Sequence, residues 1–523
     1  MAGTTWPAVR RSHAADLVVA VDCSTTASKA LIFDAGGRTL GQGRHAIPLA
    51  QPGPGRHEQS ASDWWTATSS AVRTALAGLY PARVAAVVVT HQRETFCCLV
   101  DETEVRPAIV WMDSRAQRLV QTLGSEEVHA VSGRQPDNTP PLYKLAWLTR
   151  HEPLMIDRAT RIGDVGAYLN LRLTGRWVSS WASADCLGLM DMLSRTWSED
   201  LCALAGVRAE QLPGIVAPGE VIGGLGERAA RELGLPPGTA VIAGAGDGQC
   251  AAVGAGAIAP GVLYLNMGTA IASGTTSPDY AWSKNHRTVA AASGTGFLYE
   301  AFLSSGTYMV NWFCREFGPF TAPGLDLTSE ALLEAAGVAC RAEPTAFWRC
   351  RTGTPRRRRT GTRRRVARWW AGPDTTARRT SYRAILEGIA LEIRLQTEGV
   401  TAAVSPSPTR LIVTGGGSRS RLWMQVLADV LDRPLEISAE PETTALGAAM
   451  LGAVAAGLHL DLGSAVSGMS RSSEVLFEPD PAGADVYAQL WTVYRGLYAA
   501  LQPSLSALSE LAQDSSSRTA VPS

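Results

Sequence analysis

The chain has 523 residues, of which 46% are hydrophobic, and its 48 basic and 48 acidic residues leave no net charge at neutral pH. This composition is that of a globular protein long enough for two substantial domains, and it excludes a chain that is basic overall. The nine cysteines show neither metal-ligand nor disulfide spacing. No charged-then-apolar leader is present, and no apolar run approaches the roughly 20 residues that span a bilayer, so we expect a cytoplasmic protein without membrane contact.

The first predicted strand ends at Asp22 and is followed by a hydroxyl-rich turn over 23–29, and then by a second strand. Thr25, Thr26 and Lys29 belong to this turn. Hydroxyl groups and free backbone N–H groups in a tight turn can hold a phosphate group, and a lysine adds positive charge. An ordinary polar hairpin has the same composition, so this segment alone leaves both interpretations open.

A polar cluster follows the predicted strand over 84–90, where Arg93 and Glu94 stand side by side, and Trp111 lies further along the chain. Arg93 can donate to neighbouring hydroxyl groups and Glu94 can accept from them, which is what a polyol requires. Trp111 can pack on a carbon skeleton, and a loop over 130–142 is expected to border the same cleft. A surface ion pair and a core tryptophan are the alternatives.

One acidic residue, Asp247, stands between glycines at the end of a short apolar strand over 241–243. A helix-like run of small residues follows over 249–256. Glycines allow a ligand to approach the backbone closely, and a carboxylate at such a strand end can take a proton from a hydroxyl group. A plain Gly-Asp-Gly turn is the alternative.

The second half of the chain repeats the strand–turn–strand pattern, with Gly268 and Thr269 in its turn. A further strand over 411–414 leads into a glycine run and then into a predicted amphipathic helix over 421–431. A glycine run between a strand and a helix N-terminus is suited to a nucleotide. Two similar turns, one in each half, predict two related domains that hold a nucleotide between them.

Nine motifs in order along residues 17–500 together resemble the FGGY carbohydrate kinase family, which includes xylulokinase and glycerol kinase. They are VDCSTTASK, HEQSASDWW, THQRETF, RPAIVWMDSR, AGAGDGQ, LNMGTA, YRAILEGIALE, VTGGGSRSRLWMQVLADVL and ETTALGAAMLGAV. The resemblance implies an α/β fold of two actin-like domains, each with a ribonuclease-H-type core, and MgATP in the cleft between them.

The resemblance also implies a division of the chain. A sugar-binding N-terminal domain is expected over 16–257 and a nucleotide-binding C-terminal domain over 258–510, with flexible tails at 1–15 and 511–523. The expected binding partner is a small sugar or polyol, and no binding to nucleic acid or to a membrane is expected. A homodimer is compatible with these expectations.

By position, the resemblance makes Asp247 the catalytic base on the sugar hydroxyl and Asp22 a ligand for magnesium. Arg93, Glu94 and Trp111 would bind the substrate. The residues that would bind ATP are Thr25, Thr26 and Lys29 in the first phosphate motif, Gly268 and Thr269 in the second, and Gly415, Gly416, Gly417 and Ser418 in the adenosine motif.

The chain departs from the family pattern in several places. Xylulokinases usually carry Met-His where this chain has Arg93 and Glu94, the glycerol kinase branch has a tyrosine where this chain has Thr139, and Gly248 replaces an amide after the base. The expected activity is therefore ATP-dependent phosphorylation of a small sugar or polyol, with a pentulose first. A glycerol- or erythritol-type polyol kinase and a catalytically impaired nucleotide-binding relative are the alternatives.

An arginine-rich segment over 341–379 holds 13 arginines against two acidic residues. A solvated basic loop and a nucleic-acid patch are two interpretations. The third is a frameshift. When the third base of each codon is read with the first two bases of the next, residues 347–354, 357–362 and 365–372 can encode LALPYWN, TPYWD and RGAVVGW. These blocks are similar to the family's core-forming segment, so we interpret 341–379 as a frameshifted stretch that cannot form that core.

Resequencing the gene tests the frameshift interpretation. We expect two compensating single-base changes, near codons 335–345 and 372–381, to restore the LPYW and TPYWD blocks. Expressed protein of the printed sequence should be unstable or cleaved within 341–379, because unpaired guanidinium groups are costly to bury. A confirmed DNA sequence together with a stable, active chain would show that both expectations are wrong.

Overall fold

The computed structural model describes residues 15–317, 334 and 375–518 of the chain. The arginine-rich stretch over 341–374 and the predicted tail over 1–14 lie outside these residues. The strands that it describes are β1 (Leu17–Cys23), β2 (Ala27–Asp34), β3 (Thr39–Ala46), β4 (Ala50–Gly53), β5 (Arg56–Gln59), β6 (Val84–His91), β7 (Phe96–Val100), β8 (Thr103–Glu104), β9 (Ala108–Ile109), β10 (Arg161–Asp164), β11 (Val178–Ser180), β12 (Met190–Asp191), β13 (Thr196–Trp197), β14 (Gly214–Val216), β15 (Val221–Gly224), β16 (Ala240–Ile242), β17 (Val262–Met267), β18 (Ile271–Ser277), β19 (Arg287–Ala290), β20 (Phe297–Leu303), β21 (Arg410–Thr414), β22 (Leu435–Ser438) and β23 (Ser472–Phe477).

Helices lie between groups of these strands. They are α1 (Ala61–Ala75), α2 (Gln117–Leu123), α3 (Glu126–Ser132), α4 (Pro141–His151), α5 (Pro153–Arg158), α6 (Val165–Thr174), α7 (Trp181–Ala184), α8 (Glu199–Ala205), α9 (Glu227–Leu233), α10 (Asp247–Gly254), α11 (Thr307–Phe317), α12 (Thr375–Thr401), α13 (Arg421–Leu431), α14 (Thr443–Ala455), α15 (Leu462–Met469) and α16 (Pro481–Arg518). None of the helices within these ranges combines the length and apolarity needed to cross a membrane.

The first large sheet has the strand order β15-β16-β6-β1-β2-β3. Its central strand β1 pairs in parallel with β6 and antiparallel with β2. β1 and β6 read as nearly continuous apolar runs and are buried, as expected for strands that are covered on both faces. Helix α1 covers one face of the sheet at β2 and β3, and α14, from the second half of the chain, lies against β1 and β6.

The second large sheet repeats this plan, with the order β19-β20-β18-β17-β21-β22-β23. Its central strand β17 pairs antiparallel with β18 and in parallel with β21, as β1 does with β2 and β6. The two hairpin turns that were predicted to be equivalent therefore occupy equivalent places. A third sheet, with the order β10-β7-β9-β5-β4 and with β8 paired to β7, belongs to the first half and packs with α4, where Phe96, Ile109 and Leu145 share one core.

The halves meet where α10 crosses α14. A Cβ at Gly254 would lie 1.9 Å from the carbonyl oxygen of Thr443, and a Cβ at Gly447 would lie 1.9 Å from the carbonyl oxygen of Cys250. Only glycine permits such an approach of two helix backbones. The helix that begins at Asp247 is therefore fixed directly against a helix from the second half.

Several predicted boundaries were wrong. Lys29 is part of strand β2 and not of the preceding turn, because residues 28–34 pair antiparallel with β1 along its whole length. The C-terminal helix continues to Arg518, so residues 511–518 are helical where a flexible tail was expected. Residues 375–379 begin helix α12 and are not irregular.

Candidate active site

Asp247 is the first residue of α10, with Gly246 before it as the N-cap. Oδ1 accepts hydrogen bonds from the backbone N–H of Gly248 at 2.7 Å and from Nε of Arg93 at 3.0 Å. Oδ2 accepts no hydrogen bond from a residue that the structure describes, and 44% of the side chain is exposed. One oxygen of this carboxylate is thus fixed, and the other is open to solvent or substrate.

Asp22 stands near the end of β1, paired in register with Lys29 on one side and with Thr90 on the other. Its Oδ1 is buried and has no hydrogen-bond partner within the described ranges. Burial, followed by the negative charge of Asp247, raises the pKa of Asp22 from 3.8 to about 7. A buried acceptor without a partner fits a cation, although the described residues contain no cluster of three or more metal-ligating side chains.

The raised pKa of Asp22 gives a prediction for stability. Because the folded pKa lies above the unfolded one, ionisation of Asp22 lowers stability progressively from about pH 4 to about pH 7. We expect Asp22→Asn to stabilise the apo protein by up to about 4 kcal/mol at about pH 8 and to change nothing at about pH 4. Thermal unfolding at the two pH values measures this. An equal shift at both values would contradict a buried, ionisable Asp22.

Thr25 and Trp111, which were predicted to bind different ligands, are in direct contact. The indole Nε1 of Trp111 donates to Oγ1 of Thr25 at 2.9 Å, and that hydroxyl donates to Oε1 of Gln92 at 2.9 Å. The proton of the Thr25 hydroxyl is therefore occupied by Gln92 and is not free for a phosphate oxygen. Thr26, the next residue, is exposed.

A buried lysine supports the Trp111 segment. Nζ of Lys144 donates to the carbonyl oxygens of Val110, Trp111 and Thr139 at 3.1, 2.9 and 2.9 Å. Burial lowers the pKa of Lys144 to about 7. The three carbonyl oxygens act in the opposite direction, because they accept from all three hydrogens of the ammonium form. Thr139 thus contributes its backbone to this site.

Arg93 and Glu94 are both buried. The alternative interpretation, a surface ion pair, is therefore wrong. Arg93 donates to Asp247 through Nε and to both oxygens of Glu300 through Nη1 and Nη2, at 2.8 and 3.2 Å. Glu94 accepts from Arg134 at 2.6 Å and from Arg287 at 3.1 Å, both through Oε1. Each of the two residues therefore already has partners of opposite charge.

Four charged residues of this network were not anticipated from the sequence. They are Arg134, Asp185, Arg287 and Glu300. Glu300 lies in the middle of the apolar strand β20 and is fully buried. Burial by itself raises the pKa of a carboxyl group, but Arg287 and Arg93 outweigh this effect and hold the pKa of Glu300 below its ordinary value. The signal in the sequence that could have identified Glu300 was a charged residue in the middle of an apolar strand.

Lys29 reaches across the molecule. Its Nζ lies 2.8 and 2.9 Å from the two carboxylate oxygens of Glu442, the residue that precedes helix α14. About a third of each side chain is exposed, at 34% and 33%. The predicted phosphate-binding lysine is therefore held by a carboxylate of the second half.

This ion pair gives a second prediction. If Lys29 binds phosphate, Lys29→Gln should raise the KM for ATP by roughly tenfold or more, since a hydrogen bond to a charged group contributes about 1.5–3 kcal/mol. Glu442→Gln should leave that KM unchanged or lower it, because the competing carboxylate is removed. Both substitutions should change stability by less than about 1 kcal/mol, as expected for a partly exposed pair. Equal increases in KM for both variants would contradict phosphate binding by Lys29.

The predicted glycine motifs of the second half meet in space. Gly415 has a φ of 86°, and a Cβ there would lie 2.6 Å from Oδ1 of Asn266, just before the Gly268–Thr269 turn. The hydroxyl of Ser418 donates to the carbonyl oxygen of Gly415 at 2.7 Å. Apart from its chain neighbours, no atom of the part of the chain that the structure describes lies within 4 Å of a Cβ at Gly416. Gly417 packs against Met267. The two loops thus form one glycine-lined edge of the second sheet.

Comparisons with known proteins agree with this geometry. A family model described as the FGGY family of carbohydrate kinases, N-terminal domain, matches residues 17–254, and the C-terminal domain of the same family matches residues 263–456. The chain belongs to the FGGY family of carbohydrate kinases. It is therefore a sugar kinase, and the sequence resemblance is confirmed.

Similar FGGY kinases include an autoinducer-2 kinase of Escherichia coli K12, 28% identical over 510 residues that cover 92% of this chain and 94% of that protein. Among solved structures, a xylulose kinase from Rhodospirillum rubrum is 26% identical with a TM-score of 0.81, covering 93% of this chain and 99% of that one. A glycerol kinase from Plasmodium falciparum has a TM-score of 0.77 at 20% identity, covering 91% and 97%. The two-domain actin-like fold, with its ribonuclease-H-like cores, is confirmed.

Proposed function

We propose that this FGGY kinase transfers the γ-phosphoryl group of ATP to a hydroxyl group of a small sugar, with Asp247 as the base. The observation that carries the proposal is the asymmetry of the Asp247 carboxylate, whose Oδ1 is fixed by Arg93 and Gly248 while Oδ2 is open. In the reaction Oδ2 takes the hydroxyl proton, the sugar oxygen bonds to phosphorus, and ADP leaves.

The proposed nucleotide contacts come from both halves. Thr26 and Lys29 belong to the first hairpin, and Gly268, Thr269 and the glycine run over 415–418 belong to the second half. Backbone N–H groups at glycine-rich turns suit phosphate oxygens, and the open space at Gly416 is available to a ligand. Thr25 contributes indirectly, since its hydroxyl positions Trp111.

Asp22 is the residue that we propose for magnesium, and its buried, unpartnered Oδ1 supports the assignment. When bound with ATP, the metal supplies positive charge that stabilises the transferring phosphoryl group. Magnesium prefers to keep several waters and to bind through one or two carboxylates, so a single protein carboxylate is sufficient.

For the acceptor we propose a pentulose, in accord with the solved xylulose kinase that is 26% identical. Autoinducer-2 is the second candidate, because autoinducer-2 kinases 28% identical match the chain over nearly its whole length. A glycerol-type substrate fits less well, since Arg93 and Glu94, the pair that matches the glycerol kinase branch, are engaged in buried ion pairs. The cytoplasm, where ATP is available, is the proposed location.

A competition experiment distinguishes the acceptors. Purified protein is incubated with ATP, magnesium and an equimolar mixture of pentuloses, autoinducer-2, erythritol and glycerol, and the phosphorylated products are identified by mass spectrometry. We expect a pentulose phosphate as the main product. If the main product is a phosphate of autoinducer-2 or glycerol, the pentulose assignment is wrong, but the assignment of kinase activity stands.

A further inference from the structure

Gly248, directly after the proposed base, is surrounded by charged side-chain ends. A Cβ at this position would lie 2.5 Å from Nη2 of Arg93 and 2.5 Å from Oε1 of Glu300. Gly248 is the second residue of helix α10, and alanine is ordinarily a better helix former than glycine. Glycine is therefore disfavoured by the helix but required by the ion pair above it.

The ion pair that occupies this space connects the two halves of the chain. Both oxygens of Glu300 accept from Arg93, and Glu300 also accepts from the hydroxyl of Tyr264 at 2.8 Å and from Nε of Arg287 at 2.7 Å. Glu300, Tyr264 and Arg287 belong to strands β20, β17 and β19 of the second sheet. The carboxylate is thus held from one sheet while it holds a guanidinium group from the other half.

The fixed guanidinium group in turn determines how Asp247 is oriented. With Nη1 and Nη2 engaged by Glu300, the Nε–H of Arg93 points at Oδ1 of Asp247 from 3.0 Å. A bidentate arginine–carboxylate pair fixes the plane of the guanidinium group. Displacing a reacting group by about 1 Å can lower the reaction rate by a large factor. The position of Oδ2 therefore depends on residues that do not touch it.

We propose that Gly248 and Glu300 are positioning residues that hold the Arg93 guanidinium group across the two halves and so present Oδ2 of Asp247 to the sugar. This inference rests on the proposed function of Asp247 as base. It extends the site to the second sheet, so that the base is correctly oriented only when Glu300 is in contact with Arg93.

Gly248→Ala tests the proposal, with Gly388→Ala as the matched control. Gly388 lies in the middle of helix α12, and among the described residues no atom outside that helix backbone lies within 4 Å of its Cβ position. Gly388→Ala should keep or raise the midpoint of thermal unfolding, because alanine favours a helix. Gly248→Ala should lower it, because its Cβ displaces members of a buried ion pair. We expect Gly248→Ala to lower kcat by at least about tenfold, with the KM for ATP changed less than about twofold, as for an interaction needed only in the transition state. Gly388→Ala should leave both constants unchanged.

Crystal structures of the wild type and of Gly248→Ala provide a measurement that does not depend on turnover. In the variant we expect Nε of Arg93 to have moved beyond hydrogen-bond distance, about 3.2 Å, from Oδ1 of Asp247. An unchanged distance, or a stable Gly248→Ala variant with wild-type kcat, overturns the proposal. If wild type and Gly388→Ala form no ADP with any sugar, the proposed function fails, and the crystallographic distance alone then decides the positioning role.

Discussion

Asp247→Asn is expected to lower kcat by roughly 10²–10⁴, the contribution of a general base, while ATP still binds. An asparagine keeps the shape of the side chain, and its amide oxygen can still accept from Arg93 and from the N–H of Gly248. The amide cannot take a proton from the sugar hydroxyl. Steady-state kinetics and ATP binding by calorimetry measure the two effects separately.

Asp200→Asn is a suitable control for this substitution. Asp200 is an exposed carboxylate in the first turn of helix α8, so it shares the helix-terminus position of Asp247 but lies outside the site. Asp200→Asn should leave kcat unchanged. Near-wild-type turnover in Asp247→Asn would remove Asp247 from the role of base.

Arg93→Ala is expected to lower stability by about 3 kcal/mol, because breaking a buried ion pair leaves charge without its partner. A direct contact between Arg93 and the sugar, as the family resemblance implies, would instead raise the KM for the sugar far more than the KM for ATP. In the structure Arg93 is buried between Glu300 and Asp247, so the loss of the guanidinium group affects folding and base orientation first. We expect both a lower midpoint of chemical unfolding and a lower kcat.

The double variant Arg93→Met/Glu300→Gln separates these two effects. Replacing both members of a buried pair by uncharged residues can be nearly neutral for stability, so part of the loss should be recovered. The kcat should stay low, since Asp247 has still lost its arginine. If Arg93→Ala is as stable as wild type and raises only the sugar KM, Arg93 is a direct sugar ligand and the network described here is wrong.

Regular elements were predictable where an apolar run meets a clear stop. The helix over 421–431 was predicted with its observed bounds, because Ser420 caps it and an amphipathic pattern follows. Strands β1 and β6 were predicted within two residues for the same reason. Lys29 was misplaced because the first residues of β2, Ala27, Ser28 and Lys29, are small or polar, as in a turn.

The charged network could not be predicted from local pattern. Arg93 and Glu300 are 207 residues apart in the chain, and Glu94 and Arg287 are 193 apart. An apolar strand shows that Glu300 is buried, but not which arginine it meets. The departure at Gly248 does have a physical reason, since any side chain there would occupy the space of the Arg93–Glu300 pair.

The most direct test of the central claim is ADP release by the purified full chain with ATP, magnesium and a panel of pentuloses. We predict that ADP appears only when an acceptor is present, that one pentulose gives the highest kcat/KM, and that Asp247→Asn loses this activity while still binding ATP. Acceptor-independent ADP release, or ATP binding without turnover of any sugar, would contradict the assignment of this chain as an active sugar kinase.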